Sequence, residues 1–203
     1  MNDELERRLA ASVDIGADAD LVALRAALAD RAEREGLLDV AYATLDSPVG
    51  ELTVFTTRRG LAMLAYPEDG LEAAMERVAA GISPRVLAAP QRTDVVRREL
   101  DAYFAGRLLR FETPVDWRLV AGFTARVLHV TAEIPYGSVS TYGRVAEEAG
   151  SPRAHRAAGN ALHVNPIPIV VPCHRVLPAG GKLGGYGGGV ERKAVLLELE
   201  GAR

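Results

Sequence analysis

The hydrophobic pattern of this chain changes character at Val40, and that change limits the folds open to it. VAYATL (40–45), ELTVFTT (51–57) and LAMLAY (61–66) read as strands, with only DSPVG and RRG between them. Connections this short and turn-like predict an antiparallel meander. LEAAMERVAAG (71–81) and TDVVRRELDAYFAG (93–106) then read as amphipathic helices, the second stopped by Gly106. RLLRFETPVDWRLV (107–120) has no such period and reads as a connector, with a domain boundary near residue 118. Strands followed by helices make the chain α+β.

Residues 1–39 are a separate matter. Leu5 and Leu9, then Leu21, Leu24 and Leu28, stand at helical spacing, with Asp20 as a candidate N-cap and Gly36 as a stop. This predicts a helical extension that packs on its own domain; a docking segment for another protein is the alternative. Ten acidic against five basic residues argue that it does not touch a polyanion.

Beyond the connector the pattern is helical up to Ile167. FTARVLHVTAEI (123–134) ends at Pro135-Tyr136-Gly137. Ser140 is placed to cap a short helix, TYGRVAEEAG. Gly150-Ser151 turns the chain, and PRAHRAAGNALHV makes a second helix that Asn165-Pro166 must end. Two short helices about a tight turn have the spacing of a helix-turn-helix, although helical hairpins share it.

Charge divides along the same line. The net charge is −3, but residues 121–203 sum to +3 and residues 1–120 to −6, and all four histidines lie in the basic part. That balance permits a polyanionic partner without requiring one. The chain has one cysteine, so no internal disulfide forms, and no apolar run approaches a membrane span. The start MNDELERR does not read as a signal peptide, and a cytoplasmic protein is expected.

The lone cysteine stands in IPIVVPCHR (167–175), between Pro172 and His174. A thiol with its usual pKa of about 8.5 is mostly protonated at neutral pH, so a nucleophilic cysteine needs a nearby base. His174, adjacent in sequence, is the candidate base, reaching the sulfur directly or through one water, and it would need an orienting carboxylate, for which Glu198 and Glu200 of KAVLLELEG are the candidates. Pro166, Pro168 and Pro172 stiffen the approach. A buried structural cysteine on an apolar strand is the competing reading. AGGKLGGYGGG (179–189) holds seven glycines in eleven residues and suits either a backbone that closes on a flat ligand or a mobile surface loop.

NPIPIVVPCHRV, followed by GGYGGG and a terminal LLELEG, resembles the O6-alkylguanine-DNA alkyltransferases, the methylated-DNA–protein-cysteine methyltransferases. The likeness runs from about Phe123 to Gly201, and DSPVGELTV, LAMLAY and YFAG extend it into the first half. Residues 1–39 have no counterpart in it. The resemblance implies a ribonuclease-H-like N-terminal domain over 40–118 and, over 119–203, a helical domain with a winged-helix-like helix-turn-helix. It implies a monomer without metal or cofactor that acts once on double-stranded DNA carrying O6-alkylguanine, with O4-alkylthymine as a second lesion. Cys173 would accept the alkyl group, His174 would act as base through a water, Glu200 would orient it, and Asn165 would tie the recognition helix to the active turn.

By the same resemblance Arg156 enters the base stack and Tyr142 helps turn the nucleotide out, while Ala157 and Gly159 lie along the groove. Tyr142, Leu162, Val176, Tyr186 and Gly187 would hold the lesion. The Gly187 amide would face the guanine oxygen, and the Cys173 and Val176 carbonyls would accept from the guanine amino group. Physical chemistry agrees with these roles, since an alkyl group inside a duplex cannot be attacked in line and the nucleotide must leave the stack. An arginine can fill the gap. Ala157, Ala158, Gly159 and Ala161 let a helix approach a narrow groove, or pack closely on another helix. Thr124 and Leu128 depart from the family pattern, where glutamine and tryptophan are common, and His163 stands at a position sometimes basic. His129 reads as a core or surface histidine. A lesion-binding protein without transfer, or a cysteine hydrolase using the same Cys/His/Glu set, are the alternatives; Cys173 opposes the first and Arg156 the second.

Overall fold

The computed structural model describes residues 17–202. Leu5 and Leu9 lie outside them. Helix α1 (Ala17–Arg34) precedes a four-stranded sheet of β1 (Val40–Leu45), β2 (Leu52–Thr57), β3 (Gly60–Ala65) and β4 (Val86–Ala88). The strand order is β3-β2-β1-β4. The first three strands form the expected antiparallel meander, with Val54 opposite Leu64 and Ala43 opposite Val54. β4 runs parallel to β1 and was not expected; three residues, VLA, are too few to carry a period. Between β3 and β4 lies α2 (Leu71–Gly81), and α3 (Pro90–Phe104) follows β4. α3 starts with proline at its first turn and buries Thr93, Val96, Leu100 and Tyr103 at helical spacing.

β2 is buried along its whole length, because both faces of the sheet are covered. On one side Leu52 and Val54 join Val96, Leu100 and Tyr103 in a core that continues into the second half through Val127, Leu128, Ile167 and Leu196. On the other side Phe55 meets Val40, Ala74 and Val78. Side chains of β2 thus alternate between two cores, as period two demands.

The edge of β3 is where the two halves join. The connector runs beside it, with the Leu61 amide donating to Pro114 O at 2.8 Å and the Asp116 amide to Leu61 O at 2.8 Å. Gly60 (φ 127°) permits this approach, since a Cβ there would lie 1.9 Å from Pro114 O. Three residues further along, the Leu64 amide donates to Pro166 O at 2.8 Å. An edge that would otherwise be open to another strand is closed by the chain itself.

The second half contains α4 (Gly122–Ala132), α5 (Tyr142–Glu148), α6 (His155–His163) and α7 (Val190–Leu199). β5 (Ser140–Thr141) pairs in parallel with β6 (Val176–Leu177), which fixes the start of α5 beside the segment that follows Cys173. Ser140 therefore belongs to a strand, and Thr141 is the cap: its hydroxyl accepts from the Arg144 amide.

The amino-terminal helix also corrects the expectation. Its described part runs from Ala17 to Arg34, so Asp20 lies inside it and is not its N-cap. Leu21, Leu24 and Leu28 are exposed, and the helix instead packs through Ala29 and Ala32 onto Leu38, Ala41 and Ala89. Helical spacing identified a leucine face, but the small side chains allow the closer approach.

Candidate active site

The path into the site begins at the end of α6. Asn165 accepts the Ile167 amide on Oδ1 at 3.0 Å, and its Nδ2 donates to Val171 O at 2.9 Å and to Cys173 Sγ at 3.2 Å. One amide side chain therefore folds residues 165–173 into a compact turn and contacts the sulfur. Ile169, inside that turn, has φ 73°. This is a strained conformation for a β-branched residue, costing about 1–3 kcal/mol, and it persists because the turn is over-determined. Ile169 is fully buried, and the Val171 amide bonds Ile167 O at 2.9 Å across it. Cys173 opens a single 3-10 turn through Arg175, so it is buried as the competing reading expected but does not lie on a strand.

His174, Arg175 and Glu200 are buried together. His174 Nε2 lies 2.9 Å from Glu200 Oε1, and the same oxygen accepts Arg175 Nη2 at 2.8 Å and the Tyr103 hydroxyl at 2.7 Å. Arg175 Nε donates to Glu200 Oε2 at 2.8 Å. Glu198 is exposed, so Glu200 is the orienting carboxylate of the two candidates. Burial would raise its carboxyl, but hydrogen bonds from His174, Arg175 and Tyr103 hold it at about 2.

An ionised carboxylate only accepts, which assigns the proton to His174 Nε2 and leaves a lone pair on Nδ1. Nδ1 is buried and has no partner among the described residues. Burial also holds His174 below its usual range, against the pull of Glu200, so the ring is neutral near pH 7 and able to take a proton. Burial pushes the Cys173 thiol up; hydrogen bonding from Asn165, the charge of Lys193 and the Tyr186 hydroxyl oppose it. The resting sulfur is a thiol that needs its base.

Lys193 is fully buried in α7, with Nζ donating to Val176 O at 2.8 Å and Gly185 O at 3.3 Å. Desolvation lowers it to about 8, and the nearby Cys173 pulls the other way. Glu200 and Arg175 cancel, so among the described residues charged Lys193 gains a countercharge when Cys173 is a thiolate. Sequence reasoning gave no role to Lys193, Arg175 or Tyr103. Arg175 was visible in PCHR, whereas Tyr103 lies 97 residues from its partner.

A cavity of about 230 Å³ reaches the sulfur between α5, α6 and the glycine-rich segment, lined by Tyr142, Gly159, Leu162, Tyr186 and Gly187. Of the residues expected on the lesion side it gathers Tyr142, Leu162, Tyr186 and Gly187, whereas Val176 is fully buried and does not line it. Gly159 lies against the Tyr142 ring, where a Cβ would stand 3.7 Å away. The Val176 and Cys173 carbonyls each already accept one bond, from Lys193 and from the Val176 amide.

Arg156 and Ala157 are exposed on α6, and Arg156 has no ion-pair partner among the described residues. Ala158 and Ala161 point into the core and leave the outer face to Arg156, Ala157 and Asn160, so the groove-facing reading of those two alanines is corrected to helix packing. Leu128 is buried and His163 exposed. His129 is a surface histidine whose ring lies against Trp117, with centroids 4.0 Å apart and planes tilted by 37°. No described helix is long and apolar enough to cross a membrane.

Known proteins define the class to which this fold and turn belong. The family model for the 6-O-methylguanine DNA methyltransferase ribonuclease-like domain matches residues 40–117, and that for its DNA-binding domain matches residues 122–202. The chain belongs to the 6-O-methylguanine DNA methyltransferase family. It is 43% identical over 164 residues to the methylated-DNA–protein-cysteine methyltransferase of Mycobacterium tuberculosis, covering 81% of this chain and 94% of that one. The crystal structure of the M. tuberculosis O6-methylguanine methyltransferase superposes with a TM-score of 0.69 at 41% identity, over 81% of this chain and 94% of that chain. That of M. tuberculosis OGT in complex with DNA gives 0.68 at 39%, over 80% and 93%.

Proposed function

We propose that this chain repairs DNA by moving an alkyl group from the O6 of guanine to its own Cys173, once per molecule. The observation that carries this is the His174 Nδ1 lone pair, buried and directed by the Glu200 bond to Nε2, beside the only cysteine. In the step, His174 takes the thiol proton through a water, and the sulfur forms a bond to the alkyl carbon while the carbon–O6 bond breaks. The electron pair stays on the guanine, which is then protonated. The 164-residue likeness to methylated-DNA–protein-cysteine methyltransferases supports the reading.

The product is a thioether, a poor leaving group with no thiol to resolve it, so the protein is consumed. Arg156, Ala157 and Gly159 meet DNA along α6, and Tyr142 and Arg156 keep the nucleotide out of the stack. Leu162, Val176, Tyr186 and Gly187 hold the base, and O4-alkylthymine enters by the same route. The matched ranges support a division into an extension over 1–39 and working domains over 40–118 and 119–203. A single chain acts alone, in the cytoplasm, where thiols stay reduced.

Intact mass after mixing with excess O6-methylguanine DNA tests the proposal. One methyl on the wild type and none on Cys173→Ala, with DNA binding retained, is expected. Continued release of repaired DNA beyond one per molecule would sink it and favour hydrolysis.

A further inference from the structure

Tyr66 follows β3 in the first half of the chain, yet its side chain is built into the site. Its hydroxyl lies 2.9 Å from the Tyr186 hydroxyl, and the rings meet edge to face at 6.4 Å. Arg192 caps the Tyr66 ring at 4.6 Å and donates to Val49 O at 2.6 Å, Gly188 O at 2.9 Å and Glu68 at 2.8 Å. Gly188 rides on both tyrosines: a Cβ there would lie 2.5 Å from the Tyr66 ring and 2.9 Å from the Tyr186 ring. The Tyr66 amide is itself fixed, to Asp69 at 2.9 Å. Tyr66 is held on several sides with its hydroxyl aimed at Tyr186.

Resting on the alkyl-transfer reading, we propose that Tyr66 is a positioning residue for Cys173, acting through Tyr186 as a two-hydroxyl donor relay from the N-terminal half. Each phenol has one proton, and burial raises both well above the neutral range, so both stay protonated. If Tyr186 donates to Tyr66, it offers the sulfur nothing. When Tyr66 donates to the Tyr186 oxygen, the Tyr186 proton is free to turn into the cavity that Tyr186 shares with Cys173. No bond breaks; the two hydroxyls turn together as negative charge forms on sulfur, and each strengthens the other. Asn165 Nδ2 supplies a second donor at 3.2 Å.

The groups facing the sulfur come from every surrounding element: Tyr142 of α5, His163 of α6, Asn165, Tyr186 and Lys193. Asp69 and Arg77 line the adjoining cavity near Tyr66, and His174 follows in the chain. Of these, and among the described residues, only Tyr186 is bonded to a side chain of the first half.

Tyr66→Phe keeps the ring under Arg192 and Gly188 and deletes only the relay hydroxyl. Because Cys173 is the sole thiol, the pH dependence of its alkylation by iodoacetamide reports its ionisation directly. In Tyr66→Phe the midpoint should rise by about one unit, and the neutral-pH rate with free O6-benzylguanine should fall about tenfold. The two proteins should converge at high pH, and Tyr66→Phe combined with Tyr186→Phe should be no slower than Tyr186→Phe alone. Thermal unfolding establishes that each variant is folded. A wild-type midpoint in Tyr66→Phe, or a rate loss equal at all pH, overturns the relay and leaves alkyl transfer standing. A wild type that iodoacetamide modifies but O6-benzylguanine does not would sink the transfer reading as well.

Discussion

Tyr103 donates its hydroxyl to Glu200 Oε1 at 2.7 Å, although α3 and the end of α7 belong to different halves of the molecule. The carboxylate that orients His174 is thus partly held from outside the helical half. Tyr103→Phe removes one buried hydrogen bond to a charge, and stability in urea should fall by about 1.5–3 kcal/mol. Alkyl transfer should slow only a few-fold, because His174 keeps its bond to the carboxylate. Glu200→Gln should be far worse, costing about 3–5 kcal/mol by leaving Arg175 buried without a countercharge. Urea unfolding and single-turnover rates check both variants.

Acid should open this network in a definite window. The Glu200 carboxyl is lowered in the fold from 4.5 to about 2, so its contribution is present above its unfolded value and is lost as pH falls through 2. His174, also lowered from 6.5, acts in the same direction, since protonating it in the fold costs burial energy. Stability should therefore decline as pH falls below about 6.5, and more steeply below about 4.5. Urea midpoints at stepped pH measure it, and Glu200→Gln should flatten the lower limb.

Arg156→Ala should separate duplex repair from chemistry. The side chain is exposed on α6 and is absent from the network around Cys173. Reaction with free O6-benzylguanine should stay within twofold of wild type, whereas repair in duplex DNA should fall at least tenfold, about 1.4 kcal/mol of barrier. Paired single-turnover assays on the two substrates decide it.

Removing residues 1–36 should leave repair rates within twofold. α1 is attached through Ala29, Ala32 and the Glu33 contacts with Arg92 and Arg58, all far in sequence from the site. Two alanine methyls and half-exposed ion pairs account for about 1–3 kcal/mol. The thermal midpoint should therefore drop by several degrees while transfer persists, as calorimetry and mass spectrometry would show.

Much of this architecture was legible in the chain, for reasons that also explain what was not. The meander at 40–66 showed because its turns are short and its strands long enough to carry a pattern. β4 did not, because its pairing is set by β1, 46 residues away in the Val40–Val86 register. Cys173 and His174 could be named because a nucleophile requires a base; the acid partner stayed open between Glu198 and Glu200 until the resemblance pointed to Glu200. Lys193 and Tyr103 could not, because a buried charge or hydroxyl declares itself only through the partner that satisfies it. Leu21, Leu24 and Leu28 mark the opposite limit: spacing defines a helix face without saying whether anything covers it.

The partners of the acceptor turn are drawn from distant parts of the chain: Pro166 meets Leu64, Glu200 meets Tyr103 and His174, and Arg192 meets Val49. Contacts so remote in sequence are made late, after loop closure has been overcome. A nascent chain ending before α7 would hold Cys173 without the carboxylate for its base, as an ordinary thiol. Base-assisted transfer to Cys173 therefore waits on the contacts that close the longest loops of the chain.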